Sequence, residues 1–246
     1  MNIAILYEDE DLLIIDKPAG ITVNNSETTR NQITVQDWVI KESKIKNIDL
    51  GIDKDLDFYK RAGIVHRLDK ETSGILIIAK NNLAFENIQR QFKDRVVKKT
   101  YLALAHGKIV PLSGEIDVPV GRLPWNRKQF GIFPGGRESK TLYQVKKYYK
   151  NSSNKELLTL VELYPQSGRT HQIRVHLKYI GHSIFSDFLY AGRKTAKNDR
   201  KLVPRVFLHA ARISFSHPSS GKLVRIESLL PPQLQEFLDK AAILEI

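Results

Sequence analysis

Only Asn151-Ser152-Ser153-Asn154 separates two strand-like runs, Lys140–Tyr149 and Leu157–Tyr164. Strands joined by so short a turn pair antiparallel, because a parallel neighbour needs a crossover of roughly a dozen residues or more. The same arrangement recurs at both ends of the chain. Ile3–Tyr7 and Leu12–Ile15 flank the acidic residues 8–11, and Val206–Phe215 and Lys222–Ser228 flank His217-Pro218-Ser219-Ser220-Gly221. Ile75–Ala79 and Thr100–Ala105 read as further strands. Residues 111–137, rich in Gly and Pro, read as hairpins and loops around Glu115–Val120 and Gln129–Phe133.

Helical spacing is confined to four segments. Thr34–Lys46 carries Val35, Trp38, Val39 and Ile45. Asn82–Arg95 puts Ala84, Phe85, Ile88 and Phe92 on one face, with Asn82 able to cap it. Thr170–Ile180 takes Thr170 as cap, turns Ile173, Leu177 and Ile180 inward and stops at Gly181. Pro231-Pro232 opens a last amphipathic helix with Leu234, Phe237, Leu238 and Ala241. Residues 47–62 and 191–204 read as loops. The expected class is α+β: a mixed, mainly antiparallel central sheet flanked by helices and loops, in a single domain spanning 1–246.

Lys plus Arg number 39 against 27 Asp plus Glu, a formal net charge of +12. That excess favours a polyanionic partner, nucleic acid above all, although solubility alone can select for it. The absence of Cys excludes disulfides, thiolate metal sites and thiol catalysis. The chain lacks an apolar run long enough for a membrane helix and a leader at Met1, so a cytoplasmic protein with no membrane partner is expected.

Two segments concentrate the chemistry. The first is His66-Arg67-Leu68-Asp69-Lys70-Glu71-Thr72-Ser73-Gly74 and the second Ser167-Gly168-Arg169-Thr170-His171-Gln172-Ile173-Arg174-Val175-His176. Asp69 stands between a loop and a strand, where reactive side chains are often presented, and a carboxylate there can be nucleophile, base or charge stabiliser. An isolated Asp in such a place more often caps a turn. Arg67 and Arg174 are candidates for phosphate contacts or for holding Asp69 ionised. On a helix, Arg174 would share a face with Thr170 and His171, and Arg169 at the helix start could bind a phosphate. His66, His171 and His176 invite a metal reading, but the i,i+5 spacing of His171 and His176 does not stack two ligands, so RNA contact or buried hydrogen bonding is expected instead. Tyr101, within Lys98-Lys99-Thr100-Tyr101-Leu102-Ala103, is either a core strand aromatic or a ring that stacks on a base. Neither a dinucleotide fingerprint nor a phosphate-binding P-loop is present, so no nucleotide cofactor is expected.

Taken together with Lys17-Pro18-Ala19-Gly20, Gly181-His182-Ser183-Ile184 and Asp187-Phe188-Leu189-Tyr190, these segments closely resemble, in order, the RluA-type RNA pseudouridine synthases. The resemblance implies the pseudouridine synthase fold and isomerisation of uridine to its C5-glycoside in structured RNA, ribosomal or transfer, without cofactor or metal. It implies that Asp69 starts cleavage of the N1–C1′ bond and that Tyr101 stacks on the target base. It gives Arg174 as the partner of the catalytic carboxylate and Arg67 as a residue that helps hold the flipped-out nucleotide. His66, Arg169 and His171 are expected at the substrate.

The chain departs from the family's pattern at Ser183-Ile184-Phe185-Ser186-Asp187, where a Pro and a Gly are usual in place of Ser183 and Ser186. The catalytic pattern begins almost at Met1, so no separate N-terminal S4 domain is expected, and a monomer is the default. Residues 43–60 read as an insertion that could serve substrate choice. Two other readings stand beside this one. A non-catalytic RNA-binding or RNA-folding protein on the same fold would be favoured by loss of Asp69, Tyr101 or Arg174, all of which are present. A carboxylate-dependent hydrolase would need a second carboxylate beside Asp69, for which Glu71 is the nearest candidate.

Overall fold

The computed structural model describes residues 2–29, 32–42 and 57–244. In chain order the elements are β1 (Ala4–Glu8), β2 (Leu12–Lys17), α1 (Val35–Glu42), α2 (Asp57–Lys60), β3 (Ser73–Ala79), α3 (Asn82–Lys93) and β4 (Lys98–His106). There follow β5 (Ser113–Asp117), β6 (Val120–Leu123), β7 (Asn126–Ile132), β8 (Lys140–Lys150), β9 (Leu157–Pro165) and α4 (Gln172–Tyr179). The chain continues with α5 (Arg193–Asp199), β10 (Leu208–Ser216), β11 (Leu223–Glu227), α6 (Pro232–Lys240) and β12 (Ala242–Leu244). The class is α+β with a mostly antiparallel sheet, as the short turns predict. The chain divides into two compact units, residues 1–98 with 210–228, and residues 99–209 with 229–246.

In the first unit the strands run in the order β1-β2-β3-β10, with β11 on β10. β2 and β3 pair antiparallel with Leu12 opposite Ala79 and Lys17 opposite Gly74. Every residue of β3 is buried, the mark of a strand covered on both faces. The helix α3 lies against it through Ala84, Phe85 and Ile88. Its cap is Asn81, one residue before the expected Asn82: the Asn81 side chain accepts from the Ala84 amide at 2.9 Å. Asn82 instead donates to Glu86 one turn along. α1 opens on a reciprocal box, the Thr34 hydroxyl accepting from the Asp37 amide and the Asp37 carboxylate accepting from the Thr34 amide. The expected extension of α1 to Lys46, most of the loop 47–62 and most of the insertion 43–60 lie outside the described residues; α2 occupies the described end of that stretch.

In the second unit the order is β4-β9-β8-β12, with β5 on the other end of β8, and β6-β7 a separate ribbon. The turn Asn151–Asn154 does join β8 to β9 antiparallel, from Thr141 opposite Pro165 to Lys150 opposite Leu157. Leu104, Val145, Leu158, Val161, Leu177, Phe185, Phe207 and Leu234 form the centre of its core. The basic stretch 191–204 is not a loop as expected: it holds α5, of which only Ala196 and Asp199 are buried. Without an apolar stripe, no helical period is visible in its sequence.

Candidate active site

Within the first unit, the β2–β3 register brings the end of β2 beside the start of β3, and the two loops there are tied together by the main chain. Lys17 is fully buried. Its ammonium donates to the carbonyls of Pro18 at 2.8 Å, Ile21 at 2.9 Å and Lys70 at 3.2 Å. The Gly20 amide donates to the same Lys70 carbonyl at 2.8 Å. Lys70 follows Asp69 directly, and the Thr72 amide returns to the Asp69 carbonyl at 3.1 Å. Asp69 thus stands half-buried on a turn pinned from both sides, between buried Leu68 and buried Thr72. Sequence reasoning missed Lys17; its signal was the whole Lys17-Pro18-Ala19-Gly20 segment, uninformative until the Lys70 carbonyl is placed beside it. Gly74 closes the segment because β10 passes so close that a Cβ there would lie 2.3 Å from the Ala210 carbonyl oxygen.

Arg67 is exposed beside this turn. His66 is built into the unit: its Nε2 accepts from the Ile77 amide at 3.0 Å, and its ring lies 4.8 Å from that of Phe92.

Within the second unit the Gly168–His176 segment departs from the expected capping. Thr170 is not the cap of α4. His171 takes the N-cap position in the left-handed conformation, φ 57°, with no side-chain cap. Thr170 and His171 therefore lie before the first helical turn, and their sharing of a helical face with Arg174 does not hold. The turn is fixed by buried Gln172 instead. Its Oε1 accepts from the Ser167 hydroxyl and the Arg169 amide, and its Nε2 donates to the Lys140 carbonyl and the Thr141 hydroxyl. Arg169 donates from Nε to the Glu138 carbonyl at 3.3 Å. His171 meets the Tyr190 hydroxyl through Nδ1 at 2.9 Å, and that hydroxyl also donates to the Phe130 carbonyl.

Arg174 is buried and grips Asp187 with two prongs, Nε to Oδ2 at 2.7 Å and a terminal nitrogen to Oδ1 at 2.9 Å. Its guanidinium also lies over the Tyr190 ring, 5.0 Å from the centroid. Asp187 Oδ1 in turn accepts the amides of Leu189 and Tyr190. A charge so completely buried is stable only with such partners. The preceding residue, Ser186, stands where the family pattern has Gly and adopts φ 64°, the conformation for which glycine is usual. It is held by its hydroxyl, which donates to the Val203 carbonyl at 2.6 Å. His176 is a buried hydrogen-bonding residue, its Nε2 3.2 Å from the Val118 carbonyl and 3.1 Å from the Ser139 hydroxyl; burial holds its pKa below the ordinary value.

Tyr101 is half-buried on β4, opposite Leu163 of β9, and packs against the core of this unit. Lys99 precedes it by two residues and so projects from the same face of the strand. Burial pushes the Lys99 amine down to about 8, and its nitrogen reaches the Ser167 carbonyl at 3.4 Å. Sequence reasoning quoted Lys99 only as a basic neighbour of Tyr101, since a Lys in a basic run gives no sign of which members are withdrawn from solvent.

These placements can be set beside known proteins. Residues 11–179, which include Asp69, Tyr101 and Arg174, match the family described as RNA pseudouridylate synthase. The chain belongs to the RNA pseudouridylate synthase family. It is 34% identical over 239 residues to the RNA pseudouridine synthase YlyB of Bacillus subtilis, covering 97% of this chain and 73% of that protein. It is 37% identical over 237 residues to the ribosomal large subunit pseudouridine synthase D of Nitrosomonas europaea, covering 95% of this chain and 64% of that one. The fold is similar to that of human RNA Pseudouridylate Synthase Domain Containing 1, with TM-score 0.73 and 25% identity over 98% of this chain and 89% of that one. RNA pseudouridine synthases are isomerases, and this chain is one of them by family. Among the described residues no helix is long and apolar enough to cross a membrane.

Proposed function

We propose that this pseudouridine synthase acts in the cytoplasm, as a monomer and a single functional domain, on a uridine of structured RNA, with ribosomal RNA as its substrate class. The observation that carries the reading is the family match across the segments that hold Asp69, Tyr101 and Arg174. The choice of ribosomal RNA is supported by relatives named for the large ribosomal subunit.

In this reading the uridine leaves its stack, at a cost of a few kcal/mol. Asp69 then starts cleavage of the N1–C1′ bond. The freed uracil turns and rejoins the sugar through C5, and the C5 proton is lost as N1 regains one, so that product and substrate are isomers. The pinned turn around Asp69 suits this role, since a carboxylate whose backbone is fixed needs little reorganisation to meet the sugar. Tyr101 stacks on the base, and Arg174 supplies positive charge to the reaction. Arg67, Arg169, His66 and His171 serve RNA binding, and the net charge of +12 offsets part of the cost of flipping through phosphate contacts.

The test compares wild type and Asp69→Ala on ribosomal and transfer RNA from cells lacking the gene, with pseudouridine mapped by carbodiimide adducts and primer extension. Product from wild type alone, with equal RNA binding by both, is the expected result. Pseudouridine formed by Asp69→Ala overturns the mechanism. Binding without product by wild type favours a non-catalytic RNA-binding protein, and product in transfer RNA alone overturns the substrate class.

A further inference from the structure

Among the described residues, one group of His, Asp and Glu is gathered closely enough to hold an ion: His106, Glu156 and Asp199, with their ligand atoms within 4.8 Å of one another. Their contacts argue for another use. Glu156 Oε1 lies 2.8 Å from Nδ1 of His106, and Asp199 Oδ2 lies 3.1 Å from Nε2. The carboxylates flank opposite ring nitrogens, so no single nitrogen faces both. This arrangement keeps both protons on an imidazole. Burial works against the cation, but the hydrogen bonds to Asp199 and Glu156 outweigh it and lift His106 to about 9. The His106 hydrogen bond lowers Glu156 correspondingly.

Asp199, at the end of α5, has a second task. The same Oδ2 that meets His106 accepts the Ser186 amide at 3.1 Å. Ser186 is a fully buried, left-handed residue, a backbone state that persists only when its surroundings enforce it. Asp199 holds its amide, Val203 takes its hydroxyl, and Arg200 Nε donates to its carbonyl at 3.1 Å. The next residue is Asp187, whose carboxylate orients the Arg174 guanidinium.

We infer that Asp199, held by the His106 cation, is a positioning residue for Arg174: it sets the Ser186 turn, and with it the Asp187 carboxylate that aims the guanidinium. The inference rests on the reading of Arg174 as an active-site residue. Its test uses the full chain with 15N-labelled arginine. The Arg174 Nε–H resonance is assigned by its loss in Arg174→Lys. In Asp199→Ala that resonance moves and exchanges faster with solvent. Single-turnover pseudouridine formation falls about tenfold at saturating protein, with RNA affinity kept within about twofold. Asp199→Asn, which retains an acceptor for the Ser186 amide, restores most of both. Should Asp199→Ala not fold, His106→Leu, which removes the ring donor to Asp199, takes its place with the same expectation. An Arg174 resonance that stays in place overturns the inference. A resonance that moves while the rate holds supports the positioning and overturns the role given to Arg174.

Discussion

The ammonium of Lys17 lies 3.2 Å from the carbonyl oxygen of Lys70, the residue that follows Asp69. A buried cation thereby ties the end of β2 to the turn that carries the proposed catalytic carboxylate. Lys17→Met keeps the apolar stem and removes the three donated hydrogen bonds. It should lower the unfolding free energy by about 1–3 kcal/mol, the net worth of hydrogen bonds from a charged, buried donor. Urea unfolding checks this. Pseudouridine formation should fall further than RNA affinity, because the change loosens Asp69 and leaves the basic surface intact.

Ser186 occupies a left-handed position with its hydroxyl on the Val203 carbonyl. Ser186→Gly trades that hydrogen bond for relief of backbone strain, terms of similar size, so the unfolding free energy should change by less than about 1 kcal/mol. Ser186→Val has no such compensation. A β-branched side chain at positive φ in a fully buried site should cost about 3 kcal/mol or more. Thermal unfolding of the two variants gives the comparison directly.

His106 makes stability fall as solutions become alkaline. Its pKa rises from 6.5 to about 9 on folding, so its stabilisation is complete below 6.5 and is lost as the pH passes through 9. Lys99 works in the opposite sense. Its pKa drops from 10.5 to about 8, so its burial penalty is full below 8 and is relieved towards 10.5. The difference in melting temperature between wild type and His106→Gln separates the two. That difference should shrink between pH 6.5 and 9, and a constant difference would show that His106 is not charged in the fold.

RNA affinity should decline steeply with salt, since the net charge is +12 and phosphate contacts release counterions. Filter binding across a salt series should give a log–log slope of about −3 or steeper. A flat response would remove the polyanion as partner.

Much of this was legible in the chain. The turn Asn151–Asn154 fixed the pairing of β8 with β9, and the hydrophobic spacing of Ala84, Phe85 and Ile88 located α3. What escaped was whatever depends on partners distant in sequence. Asn81 and Asn82 are chemically identical as caps, and Asn81 is the one whose side chain also donates to Asp11, distant in sequence. Thr170 is a better capping residue than His171, yet Gln172 bonds to Lys140 and Thr141 of β8 and sets the turn itself. α5 carries charge where a periodic signal would be. Asp187 opens Asp187-Phe188-Leu189-Tyr190, but nothing local marks it as the residue that grips Arg174 thirteen positions away.

Lys17 holds its loop by main-chain atoms, and a main-chain carbonyl is the same whatever side chain the residue bears. The grip on position 70 is therefore indifferent to that residue's identity, while its exposed side chain donates to Gln32. The mount and the face it presents are separable. If the proposed role of Asp69 holds, exchange of residue 70 changes what the loop offers a substrate and leaves the carboxylate next to it anchored.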